Sequence, residues 1–347
     1  MSSSFYQRLG DAPVGGGFEL DDYWVWCGSP VRGEDGRYHL FASRWPKALT
    51  FSPHWLTNSE IVRASSDTPV GPYRFEEVVL GERDAALWDG GMQHNPTIHY
   101  YNGTYYLYYV GTTYTGGRPS PEAPELVRSP KALEARANQR IGLATSSSVF
   151  GPWKRSDTPI LEPRQGRWDA LMTTNPAPWI REDGSVLLVY KSAADQQDLL
   201  RFGIARAPHP TGPYERASEE PIFRFDETGD HIEDGYIWWS AGKRRYELIM
   251  KDMKGGLSGE LHAGVHAYSA DGLSWTLSQP PKAYSRRVRW DDGSVTVQAS
   301  FERPQLLLEN GEPAYLFAAT AEGPGGFDTA VRTWNMVIPL LAEREEP

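Results

Sequence analysis

The 347-residue sequence contains a single cysteine, Cys27, and no apolar run long enough to cross a membrane. One cysteine excludes an internal disulfide, and Cys27 is expected to be a buried, inert thiol because no base adjoins it. The N-terminus lacks the basic and apolar regions of a secretory signal, so cytoplasmic residence is the default expectation. The net charge is −10 and no basic stripe is present, which argues against a nucleic-acid partner.

Helical periodicity is also scarce. Only the segment from Glu125 to Arg140 has the pattern of a short helix. In its place the sequence has 34 glycines, 27 prolines, 13 tryptophans and 18 tyrosines, which are residues of turns and strands. This composition indicates an all-β protein.

A hairpin pattern occurs five times along the chain. Each copy has a polar pair or triplet, often ending in Pro, then an apolar run, a Gly turn and an aromatic-rich run; the copies begin at Gly28, His94, Thr174, Glu233 and Glu302. Their reference positions 29, 95, 175, 234 and 303 are 59 to 80 residues apart, enough for a four-stranded blade of about 40–50 residues plus loops. A repeated hairpin that cannot bury its own faces must stack against its copies.

A second pattern marks the later strands of each copy. Small and branched residues alternate and lead into a Gly-Pro-aromatic turn at 71–73, 151–153 and 212–214, into the turn Asp271–Trp275, and finally into 327–334. Two patterns in the same order predict a five-bladed β-propeller of four-stranded antiparallel blades. One closed propeller would make residues 1–347 a single domain, and an array of β-sandwiches is the alternative.

The residues that enter the innermost strands of a propeller converge at one mouth. Here they are unusually polar, and Asp21-Asp22 precedes the aromatic segment Tyr23–Trp26. Carboxylates, amides, imidazole and guanidinium groups beside tryptophans are typical of a sugar site. We therefore predict that an oligosaccharide is bound by Trp24, Arg44, Asp89, His94, Asn95, Asn175, His231, Asp234, Lys251, Glu302 and Arg303.

Acidic residues precede the inner strand in three copies. Asp89 and Asp169 each follow a Trp and stand six residues before Asn95 and Asn175, and Asp22 stands seven before Ser29. Two explanations remain open. The carboxylates either cap turns by accepting backbone N–H bonds, or several acids point at the same mouth.

Glu233 is the preferred candidate for a general acid. It lies in an apolar and aromatic segment, and ionisation of the adjacent Asp234 is expected to raise the pKa of Glu233. Glu302 is followed by Arg303, which is expected to lower the pKa of Glu302 and suits a substrate-holding role. Arg44 and Lys251 fit either an acidic or phosphorylated sugar or a solvated rim.

The blade pattern, the segment His231–Asp234 and the turn Asp271–Trp275 resemble the five-bladed propeller glycosidases of family 43 and its relatives, families 117 and 130. The resemblance covers nearly the whole chain. It implies a catalytic base in blade one, a pKa-tuning Asp in blade three and an acid in blade four.

By this resemblance Asp22 is the base and Glu233 the acid. Asn175 occupies the position expected for the third carboxylate, so Asp169 is the nearest candidate. His231 is an alternative acid. His266 is expected either to hold an ion or water near the axis, as the resemblance implies, or to be a packed strand histidine.

These observations predict an inverting glycoside hydrolase that releases a terminal sugar from a plant or algal oligosaccharide. Exo action is favoured because the long segment from Thr112 to Arg140 would close one end of the cleft. A propeller phosphorylase, with phosphate held by Arg44, Lys251 and Arg303, and a non-catalytic carbohydrate-binding propeller are the alternatives. No group of residues has zinc spacing, and no cofactor is predicted.

Overall fold

The computed structural model of the chain describes residues 4–122 and 128–342 and confirms the predicted five-bladed β-propeller. In each blade, neighbouring strands pair antiparallel in chain order. Blade one consists of β1 Tyr23–Arg32, β2 Tyr38–Pro46, β3 Glu60–Ser66 and β4 Arg74–Leu80. Blade two consists of β5 Met92–Tyr101, β6 Thr104–Thr112, β7 Arg140–Ser146 and β8 Lys154–Arg155.

The remaining blades repeat this order. Blade three consists of β9 Thr174–Ile180, β10 Val186–Ser192, β11 Arg201–Ala207 and β12 Glu215–Arg216. Blade four consists of β13 Ile232–Ser240, β14 Arg245–Asp252, β15 Gly264–Ser269 and β16 Thr276–Tyr284. A hairpin of β17 Arg287–Arg289 and β18 Val295–Val297 precedes blade five, which consists of β19 Ser300–Glu309, β20 Glu312–Glu322 and β21 Arg332–Pro339.

The N-terminal segment completes blade five and closes the ring. Phe18 forms an antiparallel bridge with Asn335 of β21, and Leu9 forms another with Leu340. The inner strands β1, β5, β9, β13 and β19 contact one another in turn, and β19 returns to β1. The first and last blades are therefore joined through chain segments from both ends of the sequence.

Apolar side chains fill the spaces between blades. Between blades three and four, for example, Phe202 and Ile204 pack with Leu248 and Met250, and all four are buried. Each such side chain contributes about 1.5–3 kcal/mol when it is fully removed from water. These inter-blade layers hold the inner strands at fixed positions around the axis.

Two short helices lie in connections near the mouth. They are α1, Trp55–Asn58, and α2, Pro130–Ala137. Ser129 caps α2 by accepting from the backbone N–H of Ala132, and Pro130 occupies the first turn. The predicted helix began at Glu125, which lies outside the described residues. No helix among the described residues is long and apolar enough to span a membrane.

Every inner strand contains one bulge at the same depth. The residue at the bulge has a positive φ of 51–58° in all five blades; these residues are Cys27, Asn95, Asn175, Asp234 and Arg303. The sequence pattern aligned Ser29-Pro30 of blade one with Asn95-Pro96. That alignment is wrong by two residues, because the bulge of blade one lies at Cys27.

Candidate active site at the axial mouth

The five bulge residues surround the axis, and an open series of four hydrogen bonds links them; the group is called here the axial ring. The Cys27 thiol donates to Asn95 Oδ1 at 2.7 Å, and Asn95 Nδ2 donates to Asn175 Oδ1 at 2.7 Å. Asn175 Nδ2 donates to Asp234 Oδ1 at 2.6 Å, and the backbone N–H of Arg303 donates to Asp234 Oδ2 at 3.2 Å. All five side chains are buried. The left-handed conformation at the bulge turns each of these side chains toward its neighbours. The same position in each repeat therefore supplies the side chains that meet at the axis.

Three carboxyl groups gather beside the ring: Glu233, Asp234 and Glu302, called here the carboxylate cluster. One oxygen of each lies within 4.8 Å of one oxygen of each other member. Glu233 and Glu302 directly precede the bulge residues of blades four and five, so the repeat itself brings them together. Such a group of oxygens resembles a cation site, but lysine side chains are already bonded to it.

Two lysines hold Glu233. Lys191 Nζ donates to Glu233 Oε2 at 2.7 Å, and Lys251 Nζ donates to Glu233 Oε1 at 3.3 Å. Lys251 also bonds to Glu302, whose Oε1 accepts from the Ser300 hydroxyl at 2.6 Å. Lys251 pairs with Glu233 across the β13–β14 ladder, and Lys191 pairs with Thr174 at the equivalent place on β10. Lys191 was missed from the sequence, although its register matches that of Lys251.

The two adjacent carboxyl groups of blade four differ in acidity. Burial disfavours the charge on Glu233, but the charges and hydrogen bonds of Lys191 and Lys251 outweigh burial and hold the pKa of Glu233 well below its usual value. Burial, together with the charge of Glu233, raises the pKa of Asp234 from 3.8 to about 6. The expectation that Asp234 raises the pKa of Glu233 is therefore wrong. Of the two, Asp234 is the group that keeps a proton in mildly acidic solution, up to about pH 6.

The blade-one and blade-two side of the mouth is aromatic. Trp26 occupies the blade-one position equivalent to Glu233 and packs edge-on against Phe51 and Phe327. In blade two, His94 lies under Trp55 of α1 at a centroid distance of 5.3 Å. The mouth thus has an apolar half and a charged half, an arrangement that suits the two kinds of sugar surface.

The two predicted histidines are not equivalent. His94 Nδ1 is 2.8 Å from the Ser59 hydroxyl, and burial with the nearby charges of Arg303 and Lys191 lowers the pKa of His94 to about 3. His231 is half-buried two residues before Glu233, and burial lowers its pKa as well. Its Nδ1 has no hydrogen-bond partner among the described residues. Both rings are neutral at pH 7, which disfavours His231 as the acid.

The structure does not bring Asp22 to the carboxylate cluster. Asp22 is exposed in a bend before β1 and precedes Trp26 by four residues, or about 13 Å along an extended chain. An inverting pair needs its carboxyl groups about 6.5–9.5 Å apart. Blade one contributes Trp26 and Cys27 at the positions where blade four has Glu233 and Asp234, so it places no carboxylate at this level.

Trp24 and Arg44 make structural contacts within blade one. The indole N–H of Trp24 donates to the Leu49 carbonyl at 2.8 Å, and its ring is buried. The Arg44 guanidinium bonds to Glu60 at 2.9 Å and lies 4.0 Å from the centre of the Tyr23 ring. These contacts occupy both side chains within blade one, so the structure does not place them as sugar ligands.

Asp89 and Asp169 are buried anchors between strands. The Asp169 carboxylate accepts from Arg164 Nε at 3.0 Å, the Tyr190 hydroxyl at 2.8 Å and Arg216 Nε at 2.7 Å. Asp89 is likewise fully buried and bonded to Arg83 and a tyrosine hydroxyl. Each carboxylate faces an arginine of the outermost strand of its blade, Arg155 or Arg216, and is not part of the carboxylate cluster. The partners of Asp89 and Asp169 are side chains and not the backbone N–H groups of the expected turn cap. The structure therefore gives no support to the catalytic role expected for Asp169 or to the binding role expected for Asp89.

His266 lies on β15, the third strand of blade four, and not on the axis. Its Nε2 is 2.8 Å from Glu247 Oε2, and its Nδ1 is 2.7 Å from the Ser278 hydroxyl. The ring is stacked between Phe5 and Trp238. Both ring nitrogens already have partners, so the packed-histidine explanation holds and the predicted ion is not supported.

Comparison with known structures identifies the fold. Zg3597, a family 117 glycoside hydrolase produced by the marine bacterium Zobellia galactanivorans, matches 96% of this chain and 89% of its own at 17% identity, with a TM-score of 0.64. This chain has the fold of the five-bladed propeller glycoside hydrolases. A thermostable family-43 glycoside hydrolase matches 94% of this chain and 95% of its own at 13% identity, with a TM-score of 0.59.

A third propeller structure is similar over nearly the whole chain. It is the catalytic domain of a family 62 α-L-arabinofuranosidase from Coprinopsis cinerea, with 99% of this chain and 100% of the other covered, 13% identity and a TM-score of 0.63. No protein-family model and no curated protein matches the sequence. The resemblance to propeller glycosidases is thus confirmed for the fold, and at these identities it does not assign the reaction of this propeller.

Proposed function

We propose that the protein is a glycoside hydrolase whose reaction takes place at the carboxylate cluster. The observation that carries the proposal is the pair Glu233 and Asp234, two adjacent carboxyl groups whose environments separate their pKa values. Asp234, with its pKa of about 6, would donate the proton to the leaving oxygen as the glycosidic bond breaks, and ionised Glu233 would attack the anomeric carbon. Water would then hydrolyse the bond between the sugar and Glu233, with its proton returning to Asp234. This assignment moves the acid role expected for Glu233 to Asp234 and gives Asp22 no part as the base.

The walls of the mouth support action on a terminal sugar. α1 carries Trp55 over His94, and α2 packs on α1 through Leu56, Ala132 and Ala135. Arg136 of α2 bonds to Gln196 in the connection that follows β10, so this helix reaches from α1 to blade three. A mouth covered on this side suits the end of an oligosaccharide better than the middle of a long chain.

The stereochemical outcome depends on the spacing of the acids. Oxygen atoms of the cluster lie within 4.8 Å, closer than the gap of about 6.5–9.5 Å that leaves room for water in inversion. The described geometry therefore favours retention over the inversion implied by the resemblance. Proton NMR of the first anomer released distinguishes the two outcomes.

The site assignment is tested by turnover of active-site variants. Asp234→Asn and Glu233→Gln should each lower turnover of a cleaved glycoside by a hundredfold or more while the fold is retained. Asp22→Asn is the matched control, because it removes an exposed carboxylate outside the cluster, and it should stay within twofold of the wild type. Near-full activity in both cluster variants would refute the assignment.

A non-catalytic carbohydrate-binding propeller is the second candidate. It is favoured by Trp26 and Cys27 of blade one, which stand where blade four has its carboxyl groups. Calorimetry that shows sugar binding, together with no product after prolonged incubation, would select this candidate.

A further inference from the structure

Four basic side chains interact with the carboxylate cluster, although the whole chain carries a net charge of −10. The three members of the carboxylate cluster face Lys191, Lys251 and Arg303, and Arg136 adds a fourth cation from α2. Cationic side chains are therefore concentrated at this site in a molecule of negative net charge.

Two of these cations, Lys191 and Arg136, are partly exposed and retain unused N–H donors. An ammonium group has three N–H bonds, and among the described residues Lys191 uses one, to Glu233. Arg136 binds Gln196 through Nη1, at 2.5 Å from the side-chain oxygen, while its Nε and Nη2 have no acceptor in the described part of the chain. By contrast, Lys251 is 2% exposed and is bonded to both Glu233 and Glu302.

A neutral donor or acceptor lies beside these cations. His231 precedes Glu233 by two residues, and its Nδ1 is buried without a partner among residues 4–122 and 128–342. Gln196, which fixes Arg136, comes from the connection that follows Lys191. Glu233 therefore interacts electrostatically with guanidinium, ammonium and imidazole groups that come from three separate segments, and Lys191 is hydrogen-bonded to it directly.

We propose that Lys191 and Arg136 form a subsite for an anionic group, with His231 as an additional hydrogen-bonding partner, so that the substrate is an acidic saccharide or is accompanied by phosphate. The planar guanidinium of Arg136 matches a carboxylate or phosphate in two-point contact, and Lys191 neutralises the second edge. The subsite rests on the proposed function for its location at the cluster. It adds the chemical class of the ligand.

The test is binding of matched probes to the full chain by calorimetry at low salt. The probes are galacturonate against galactose, glucuronate against glucose, and inorganic phosphate. The anionic member of at least one pair, or phosphate, should bind about tenfold or more tightly than a neutral sugar. A preference for a uronate identifies a sugar carboxylate as the source, and binding of phosphate alone identifies phosphate.

Variants locate the binding site. Arg136→Gln should reduce the preference for the anion about tenfold while binding of the neutral sugar changes less than twofold. Lys191→Met should also reduce the preference about tenfold, but it is not a control for neutral-sugar binding, because Lys191 also holds Glu233. Arg140→Gln is the control: it removes an equal charge close by, from a side chain that bonds to Glu162 at 3.0 Å, and should leave both unchanged. Melting temperatures check that each variant is folded.

Two results would overturn the subsite. One is equal binding of every acidic probe and its neutral partner with no binding of phosphate, and the other is an anion preference that survives both variants. Because calorimetry needs no turnover, a protein that binds a uronate but cleaves nothing would contradict the proposed hydrolase and leave the subsite intact.

Discussion

One backbone position decides the chemistry of the mouth. The five bulge residues share a left-handed conformation, yet they are one thiol, two amides, one carboxyl group and one guanidinium. Asn and Asp tolerate this conformation better than most residues, whereas Cys27 and Arg303 are held in it by their surroundings. The fold fixes where these side chains meet, and their identity decides what happens there.

The acidity of Asp234 predicts how activity depends on pH. If protonated Asp234 donates to the leaving oxygen, kcat/KM must fall as the pH rises through about 6, where the carboxyl group loses its proton. The profile of kcat/KM between pH 4 and 9 on any cleaved glycoside measures this. A rate that stays constant from pH 5 to 8 would exclude Asp234 as the acid.

The same group predicts a pH-dependent stability. Because the pKa of Asp234 is raised on folding, the native state binds more protons than the unfolded chain between pH 3.8 and about 6, and stability is lost as the pH rises through that window. Asp234→Asn removes this effect. Its unfolding free energy relative to the wild type should therefore increase by about 2 kcal/mol from pH 4 to pH 7.

Urea unfolding at each pH provides the measurement, and the wild type is its own reference for every other titrating group. If the difference in unfolding free energy between variant and wild type does not change with pH, the pKa of Asp234 is not raised by folding.

At the scale of elements, the approach segments before β5 and β9 are built alike. In each, a Trp stacks on a tyrosine of the second strand, and the following Asp bonds to that tyrosine and to an arginine. The repetition therefore reflects a structural device that orients the inner strand. Trp88 and Trp168 were visible in the sequence, but the arginine partners lie in loops and in the outermost strands, and no local pattern reveals these contacts.

Asp169→Asn should destabilise the protein without changing its chemistry. The substitution leaves Arg164 and Arg216 without a buried counter-charge, a loss of about 3–5 kcal/mol for a broken buried pair. Denaturant unfolding measures the loss, and kcat on the folded protein at low temperature should remain within twofold of the wild type. A hundredfold lower kcat at full stability would instead restore Asp169 as a catalytic residue.

The elements were largely predictable and the site was only partly so. Hairpin turns and alternating strands are local, so the blades followed from the sequence. The register of blade one did not, because Gly28 replaces the proline that marks three of the other bulges. Lys191 comes from a neighbouring blade, and a contact between blades leaves no trace in the spacing around Glu233.

At the scale of the molecule, the ring depends on the N-terminal segment. Phe18 is 1% exposed and packs with Val25 and Val337, so it joins blade one to blade five. Closure of the ring holds β1 and β19 together at the axis, and the mouth with them. The N-terminal segment therefore contributes both to the stability of the propeller and to the position of the inner strands that form the site.

Phe18→Ala should lower the unfolding free energy by about 3–5 kcal/mol, because it removes a large buried ring at this junction. Calorimetry should still show one cooperative transition at a lower temperature. Two separate transitions would indicate that blade five can open while the other blades remain folded.

The most direct test of hydrolysis at the carboxylate cluster is product analysis. The protein is incubated with a panel of aryl glycosides and plant and algal oligosaccharides that includes neutral and acidic members. The wild type should release a monosaccharide from at least one member without added phosphate, and Asp234→Asn should release it at least a hundredfold more slowly. Release by both proteins at the same rate, or release only when phosphate is supplied, would contradict hydrolysis at the carboxylate cluster.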